Sequence, residues 1–187
     1  MSWPDTERGH ARTALAIVAV SGLVLSATSV RGQGSNAPAA DPVSLLVSVS
    51  QRQLTVQRGE EVLFRFPVGV GTGDRLRRAR AQEWTFTTPT GAFEIGRKKK
   101  DPVWYAPDWY YVERGQRIPP AYSEERYRPG ILGDYALYLS DEIAIHGTED
   151  EGSVGRASSH GCLRMHNADI AVVFPLVEVG TRVDIVP

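Results

Sequence analysis

Apolar and polar positions alternate in short blocks along most of the chain. Val43–Ser50 (VSLLVSVS) and Gln53–Gln57 (QLTVQ) are brief runs rich in β-branched residues, which predicts two strands. Arg58-Gly59-Glu60 turns the chain into Glu61–Val70 (EVLFRFPVGV). There Val62, Phe64 and Phe66 alternate with Leu63 and Arg65, predicting a strand with one strongly buried face. Gly91–Arg97 (GAFEIGR) follows a Thr-Pro-Thr-Gly turn, and Tyr135–Ser140 and Ile143–His146 are two more strand candidates parted by Asp141-Glu142. Asn167–Phe174 is the one clear helix candidate, with Asn167 as cap, Asp169 in the first turn and Pro175 ending it. Val183–Val186 closes the chain as a strand. Many short strands and one short helix predict a mainly β domain, a sandwich or barrel-like pair of sheets. Between Lys98 and Gly133 no period is visible, and a connection that long is usually functional. Its aromatic residues, Trp104, Tyr105, Trp109, Tyr110 and Tyr111, are candidates for lining a groove.

The N-terminus has a different character. Arg8, His10 and Arg12 precede an uncharged apolar stretch, Ala14–Val30, followed by small residues, which is the pattern of an export signal. The alternative is an uncleaved inner-membrane anchor, although about 17 residues lie at the lower limit for spanning a bilayer. Either form would put the rest of the chain outside the cytoplasm. Residues 31–42 (RGQGSNAPAADP) form a linker, leaving 43–187 as one domain.

Composition then removes whole classes of function. The 187 residues carry 21 Lys+Arg against 22 Asp+Glu, so bulk attraction to nucleic-acid phosphates is not expected. A single cysteine excludes an internal disulfide framework and any multi-cysteine metal cluster. That cysteine, Cys162, lies in Ser158-Ser159-His160-Gly161-Cys162-Leu163-Arg164, downstream of Ile145-His146-Gly147-Thr148. A thiol attacks as thiolate, so it needs a base or an electropositive setting that lowers its pKa. His160 is two residues from Cys162, and His146 reaches the thiol only if the fold returns it there; either could take the proton. Gly161 permits a tight turn and close approach to backbone N–H groups, the material of an oxyanion hole.

The set HGT(x)₉SSHGCLR, with TPTGAFEIGRKKKDPVWYAP upstream and VGTRVDIV at the end, closely resembles the catalytic domain of the L,D-transpeptidases, the YkuD-like family, over about residues 43–187. The aromatic insert after Lys100 looks like that of the periplasmic enzymes. The resemblance implies a β-sandwich of mixed sheets with one short helix and a long aromatic loop. It also implies attack by Cys162 on the peptide stems of peptidoglycan, with His146 as proton acceptor and donor. The Gly147 carbonyl would hold the imidazole, Ser159, His160 and Gly161 would shape the oxyanion site and turn, and Arg164 would brace the loop or face a substrate carboxylate. The donor stem would lose D-alanine from diaminopimelate and the acyl group would pass to an amine. Neither cofactor nor metal is implied. The same site could instead attach a wall-linked lipoprotein or hydrolyse the thioester, and a non-catalytic wall-binding module is the rival from another class.

Other features have plainer readings. A zinc site from His146, His160, Cys162 and His166 lacks a supporting carboxylate motif. Gly69–Asp74 lacks the Gly-Lys-Ser/Thr ending of a phosphate loop and is expected to be a strand exit. Arg75–Arg80 and Lys98–Lys100 are expected to be solvated faces, and His166 a surface residue at the helix start. No feature of the chain specifies an oligomeric state.

Overall fold

A computed structural model describes residues 41–78 and 82–187. The expected export or anchor segment (1–30), linker residues 31–40 and part of the arginine run lie outside the described residues. In chain order the first strands are β1 Val43–Ser48, β2 Gln53–Arg58, β3 Glu61–Pro67, β4 Val70–Gly71, β5 Arg75–Arg78, β6 Gln82–Thr85, β7 Gly91–Glu94, β8 Arg97–Lys100 and β9 Val103–Tyr105. After helix α1 (Asp108–Glu113) come β10 Tyr127–Pro129, β11 Tyr135–Tyr138, β12 Ala144–His146, β13 Ala157–Ser159 and β14 Leu163–Arg164. Helix α2 (Asn167–Val173) and β15 Arg182–Val186 end the chain. Among the described residues no helix is long and apolar enough to cross a membrane.

Two mixed sheets enclose the core. One has the order β3-β2-β1-β15-β7, parallel only at β1–β15; the other has the order β14-β12-β11-β8, parallel only at β12–β14. Strand alternation sends Leu45, Val47, Leu54, Val56, Val183 and Ile185 from the first sheet into the same apolar cluster as Leu137, Ile145 and Leu163 from the second. Ile170 and Val173 of α2 join it.

Several expectations need correction in detail. Gly91–Arg97 is two strands, because at Ile95 the chain changes sheets: Ile95 N–H donates to Thr181 O and the next N–H, of Gly96, to Tyr138 O. The Val62/Phe64/Phe66 face is not strongly buried, with Val62 at 39% and Phe64 at 41% exposure. Phe64 and Phe66 sit opposite Val56 and Leu54, so they point toward the core side, but β3 is an edge strand and among the described residues its Val62–Phe64 end stays exposed. Asn167 does not cap its helix; it is the first helical residue, and the side-chain amide is bonded elsewhere.

The Lys98–Gly133 segment is not irregular throughout. It holds α1, a second short helix, and an antiparallel pair in which Tyr127, Arg128 and Pro129 face Tyr105, Trp104 and Val103. Its centre is a charge: Arg126 is 5% exposed. The guanidinium donates to Pro119 O (2.6 Å), Pro120 O (3.1 Å), Ala106 O (3.0 Å) and the Asp108 carboxylate (2.7 Å). A buried cation of this kind is tolerated because each of its three nitrogens has an acceptor and one of these is a carboxylate.

Arg126→Ala should therefore release residues 103–129 while leaving the sandwich intact, since each stranded buried acceptor costs about 1–3 kcal/mol. Hydrogen exchange should accelerate at least about tenfold across β9 and β10 with β1, β2 and β15 unchanged. Unaltered exchange in β9 and β10 would show that Arg126 does not hold the segment.

Candidate active site

The second sheet places the candidate residues by register. On its core side lie Leu137, Ile145 and Leu163; on the opposite side Lys99, Ala136, His146 and Arg164 form one cross-strand row. Extending the parallel register back one residue sets Cys162 beside Ala144, diagonal to His146. The fold thus returns His146 to the thiol that lies 16 residues further along the sequence.

His146 is buried, and its Nδ1 is hydrogen-bonded to the Gly147 carbonyl. A carbonyl only accepts, so Nδ1 carries the proton and Nε2 keeps its lone pair. Burial pulls the imidazole from its ordinary 6.5 down to about 4, against the bond to Gly147, and the Arg164 charge adds to the fall. At neutral pH the ring is a free base. The orienting carbonyl is itself held in place. Gly147 N–H donates to Tyr135 O (3.0 Å), and Asn167 Nδ2 donates to Thr148 O (2.9 Å). A side chain at position 147 would put its Cβ 2.1 Å from Asn167 Oδ1, so this approach requires glycine.

Cys162 is half-buried, with Sγ 3.5 Å from Glu142 O. Burial pushes the thiol up, while a backbone hydrogen bond from Ala144 and the Arg164 charge pull the other way. The expectation of a lowered thiol is therefore not met in the free site, because burial outweighs the nearby charge. The resting pair is a neutral thiol with a neutral imidazole, an arrangement that can pass one proton from sulfur to Nε2.

The turn before Cys162 is tied at several points. Ser159 Oγ donates to Cys162 O (2.6 Å) and accepts from Gly161 N–H (3.1 Å). Gly161 O accepts from Thr88 Oγ1 (2.9 Å), whose oxygen also accepts from Gly71 N–H (2.8 Å). Gly161 has φ +123°, which favours glycine, and a Cβ would crowd Ile143.

His160 goes elsewhere. Its Nε2 lies 3.0 Å from Glu113 Oε1 at the end of α1, and its ring stacks on Trp109 with centroids 4.0 Å apart. Phe86 meets the same ring edge-on at 4.3 Å. His160 is thus a tie between the cysteine turn and the aromatic segment. His166 pairs with Glu151 on another surface. Among the described residues no group of three or more His, Cys, Asp or Glu is placed to hold a metal ion.

The expected groove residues are arranged differently from the sequence reading. Tyr111 is buried, with its hydroxyl donating to Glu125 O (2.8 Å), so it packs the segment's own interior. Tyr105 is exposed on the outer hairpin, where its hydroxyl accepts from Tyr122 N–H and its ring meets Tyr127. Trp104 packs against Trp109 and Tyr110. Sequence reasoning missed Glu113, Thr88 and Asn167, which touch the site only through the fold. Strand periodicity carries no trace of them.

Residues 42–185 match the L,D-transpeptidase catalytic domain family, YkuD. The chain is similar to the probable L,D-transpeptidase YbiS of Escherichia coli (strain K12), 31% identical over 142 residues, covering 74% of this chain and 42% of that protein. The matched chain spans less than half of that relative. A solved L,D-transpeptidase from Mycobacterium smegmatis has a similar fold, with TM-score 0.56 at 21% identity over 78% of this chain and 59% of that one. L,D-transpeptidase 3 from Mycobacterium tuberculosis, in complex with a faropenem-derived adduct, is similar at TM-score 0.53 and 20% identity, over 78% and 60% of the two chains.

The buried His146 predicts an acid-sensitive fold. Between its ordinary 6.5 and its folded value of about 4, the unfolded chain takes up a proton that the folded chain does not, so stability falls as pH drops through that window. Below about 4 the loss levels off, on the order of 3 kcal/mol for this group. Urea titrations of wild type and His146→Gln at pH 4, 5, 6 and 7 should show this slope only in wild type. Parallel slopes would rule out His146 as its source.

Proposed function

The chain belongs to the L,D-transpeptidase catalytic-domain family, and we propose that it is an exported acyltransferase acting on peptidoglycan through Cys162. The reading is supported chiefly by one observation, the Nδ1 bond from His146 to the Gly147 carbonyl, which leaves Nε2 as the base on the Cys162 side of the sheet.

In the first step Cys162 Sγ attacks the carbonyl at the L-centre of diaminopimelate in a donor tetrapeptide stem, and the thiol proton passes to His146 Nε2. The developing oxyanion needs a backbone donor. Gly161 N–H is already bonded to Ser159 Oγ, so the next N–H, at Cys162, is the one this turn offers. The C–N bond to D-alanine then breaks, and the imidazolium returns its proton to the leaving amine. In the second step an amine, the side-chain amine of a neighbouring stem, attacks the thioester. Its proton goes to Nε2 as the C–S bond breaks, the sulfur leaves as thiolate and retakes that proton, and an amide cross-link remains. The low pKa of His146 suits both directions, because a neutral imidazole accepts and its imidazolium gives the proton up readily. Arg164, within electrostatic reach of both groups, favours the thiolate as it forms.

The basic N-terminus and its apolar stretch support export to the periplasm, where the stems are the substrate and a wall-attached lipoprotein is the alternative acceptor.

Incubation of the purified chain with sacculi, followed by muropeptide analysis, should yield new stem–stem cross-links. Released stems without cross-links would mean that water is the acceptor, and no change would leave only a wall-binding module. Cys162→Ala should abolish turnover, and faropenem should add mass to the native chain but not to that variant. An adduct on the variant, or none on wild type, counts against Cys162 as nucleophile. His146→Ala should slow acylation by about 10²-fold or more, with His166→Ala near wild type. Equal losses would mean that the base is misassigned.

A further inference from the structure

One cleft beside the thiol has no role in these steps. Gly96, Arg97, Tyr138, Leu139, Ser140 and Asp141 line a cavity of about 490 Å³. Register connects it to the nucleophile. Arg97 pairs with Tyr138, Tyr138 with Ala144, and Ala144 neighbours Cys162, so the four form one row across the open side of the second sheet. Ala144 is the floor between the Tyr138 ring and the sulfur. The turn that carries Asp141 reaches the same place, since the carbonyl of the next residue, Glu142, lies 3.5 Å from Sγ. Ser140 Oγ fixes that turn by accepting from the N–H groups of Glu142 and Ile143.

Two opposite charges face the cleft without neutralising each other. The Arg97 guanidinium lies 4.1 Å above the Tyr138 ring centroid, which orients its plane. Among the described residues Arg97 forms no ion pair, with Asp141 or with any other carboxylate. Asp141 lines the same cleft, is exposed, and is likewise unpaired among the described residues. An exposed guanidinium whose carbon sits over a ring still has N–H groups to offer a planar, two-oxygen acceptor. A cation and an anion held apart across one cleft complement a ligand that carries both charges on one carbon.

From this we infer that the Arg97–Tyr138–Asp141 cleft is a subsite for a free amino-carboxylate centre, with Arg97 taking the carboxylate and Asp141 the ammonium. The inference rests on the stem-peptide reading above and specifies what the donor must carry. Tyr138 is two strand spacings from Cys162, about 10 Å, so the bound head lies near the far end of a side chain whose own backbone carbonyl is at the sulfur. The distal centre of diaminopimelate is such a head. It belongs to the donor, because the attacking amine of an acceptor must come within bonding reach of the thioester carbon rather than wait about 10 Å away. Tyr138 acts as a positioning residue for Arg97, and the pair selects donors by charge.

The test compares D-alanine release by the full chain from three tetrapeptide donors: unmodified, amidated at the distal carboxylate, and with lysine in place of diaminopimelate. Wild type should favour the unmodified donor in kcat/KM by about tenfold or more over the other two, chiefly through KM. Arg97→Gln should bring the three values close together, and Arg97→Lys should restore part of the preference; melting curves that match wild type establish folding of both. Wild type turning over all three donors equally, or Arg97→Gln keeping the full preference, overturns the subsite and leaves the transpeptidase reading standing. Release from none of the donors overturns both.

Discussion

Parallel strands cannot be joined by a tight turn, so pairing β12 with β14 obliges the chain to leave the sheet after His146 and return only at Leu163. Everything chemical in the domain follows from that excursion. The departing end carries His146 and the carbonyl that orients it; the returning end carries Cys162. The register sets His146 beside Arg164 and Cys162 beside Ala144, which puts imidazole, thiol and guanidinium on one side of the sheet. A slip of one residue would turn one set into the core. Ile145 and Leu163, both fully buried, hold the register from the opposite side.

Burial has a double effect at this site. It strips charge from both reacting groups, lowering the imidazole and raising the thiol, so the resting site holds a neutral pair rather than a thiolate and an imidazolium. An idle thiolate is open to oxidation; a protonated thiol in a half-buried site is less so. The same environment strengthens the pull of Arg164 once negative charge forms on sulfur or on a carbonyl oxygen. In the proposed reaction, proton transfer is thereby coupled to the arrival of an acyl group.

The aromatic segment adds the third component. It is folded around Arg126, whose guanidinium joins the carbonyls of three residues to Asp108, and it meets the catalytic sheet through the Glu113–His160–Trp109 contact. The histidine nearest the cysteine in sequence is thus a structural fastening, and the distant one is the base in the proposed reaction. Sequence proximity favoured neither, because side-chain direction at residue 160 depends on the positive φ of Gly161 and on a helix about fifty residues upstream.

Much of the domain is written in local pattern. β-branched runs specify the strands of both sheets, and the resemblance of His146-Gly147 and Ser159–Arg164 to the family's motifs implies the thiol, the imidazole and the orienting carbonyl as one set, where the residues alone left either histidine open. Local pattern fails where a position depends on what lies across space. Phe64 has the alternation of a buried residue, yet among the described residues it stays exposed at the edge strand β3. Asn167 has the composition of a cap, yet its amide holds Thr148 because the loop after Gly147 happens to arrive there. Arg97 and Asp141 look like solvated surface residues along the chain; only the register of β8, β11 and the following turn brings them to the lining of one cleft. The sequence by itself determined the strand content and the candidate reacting groups, because periodicity and side-chain chemistry are local properties. The charge state of those groups, the partner of each histidine and the cleft beside the sulfur were decided by tertiary structure, because burial and cross-strand register exist only once the sheets have closed.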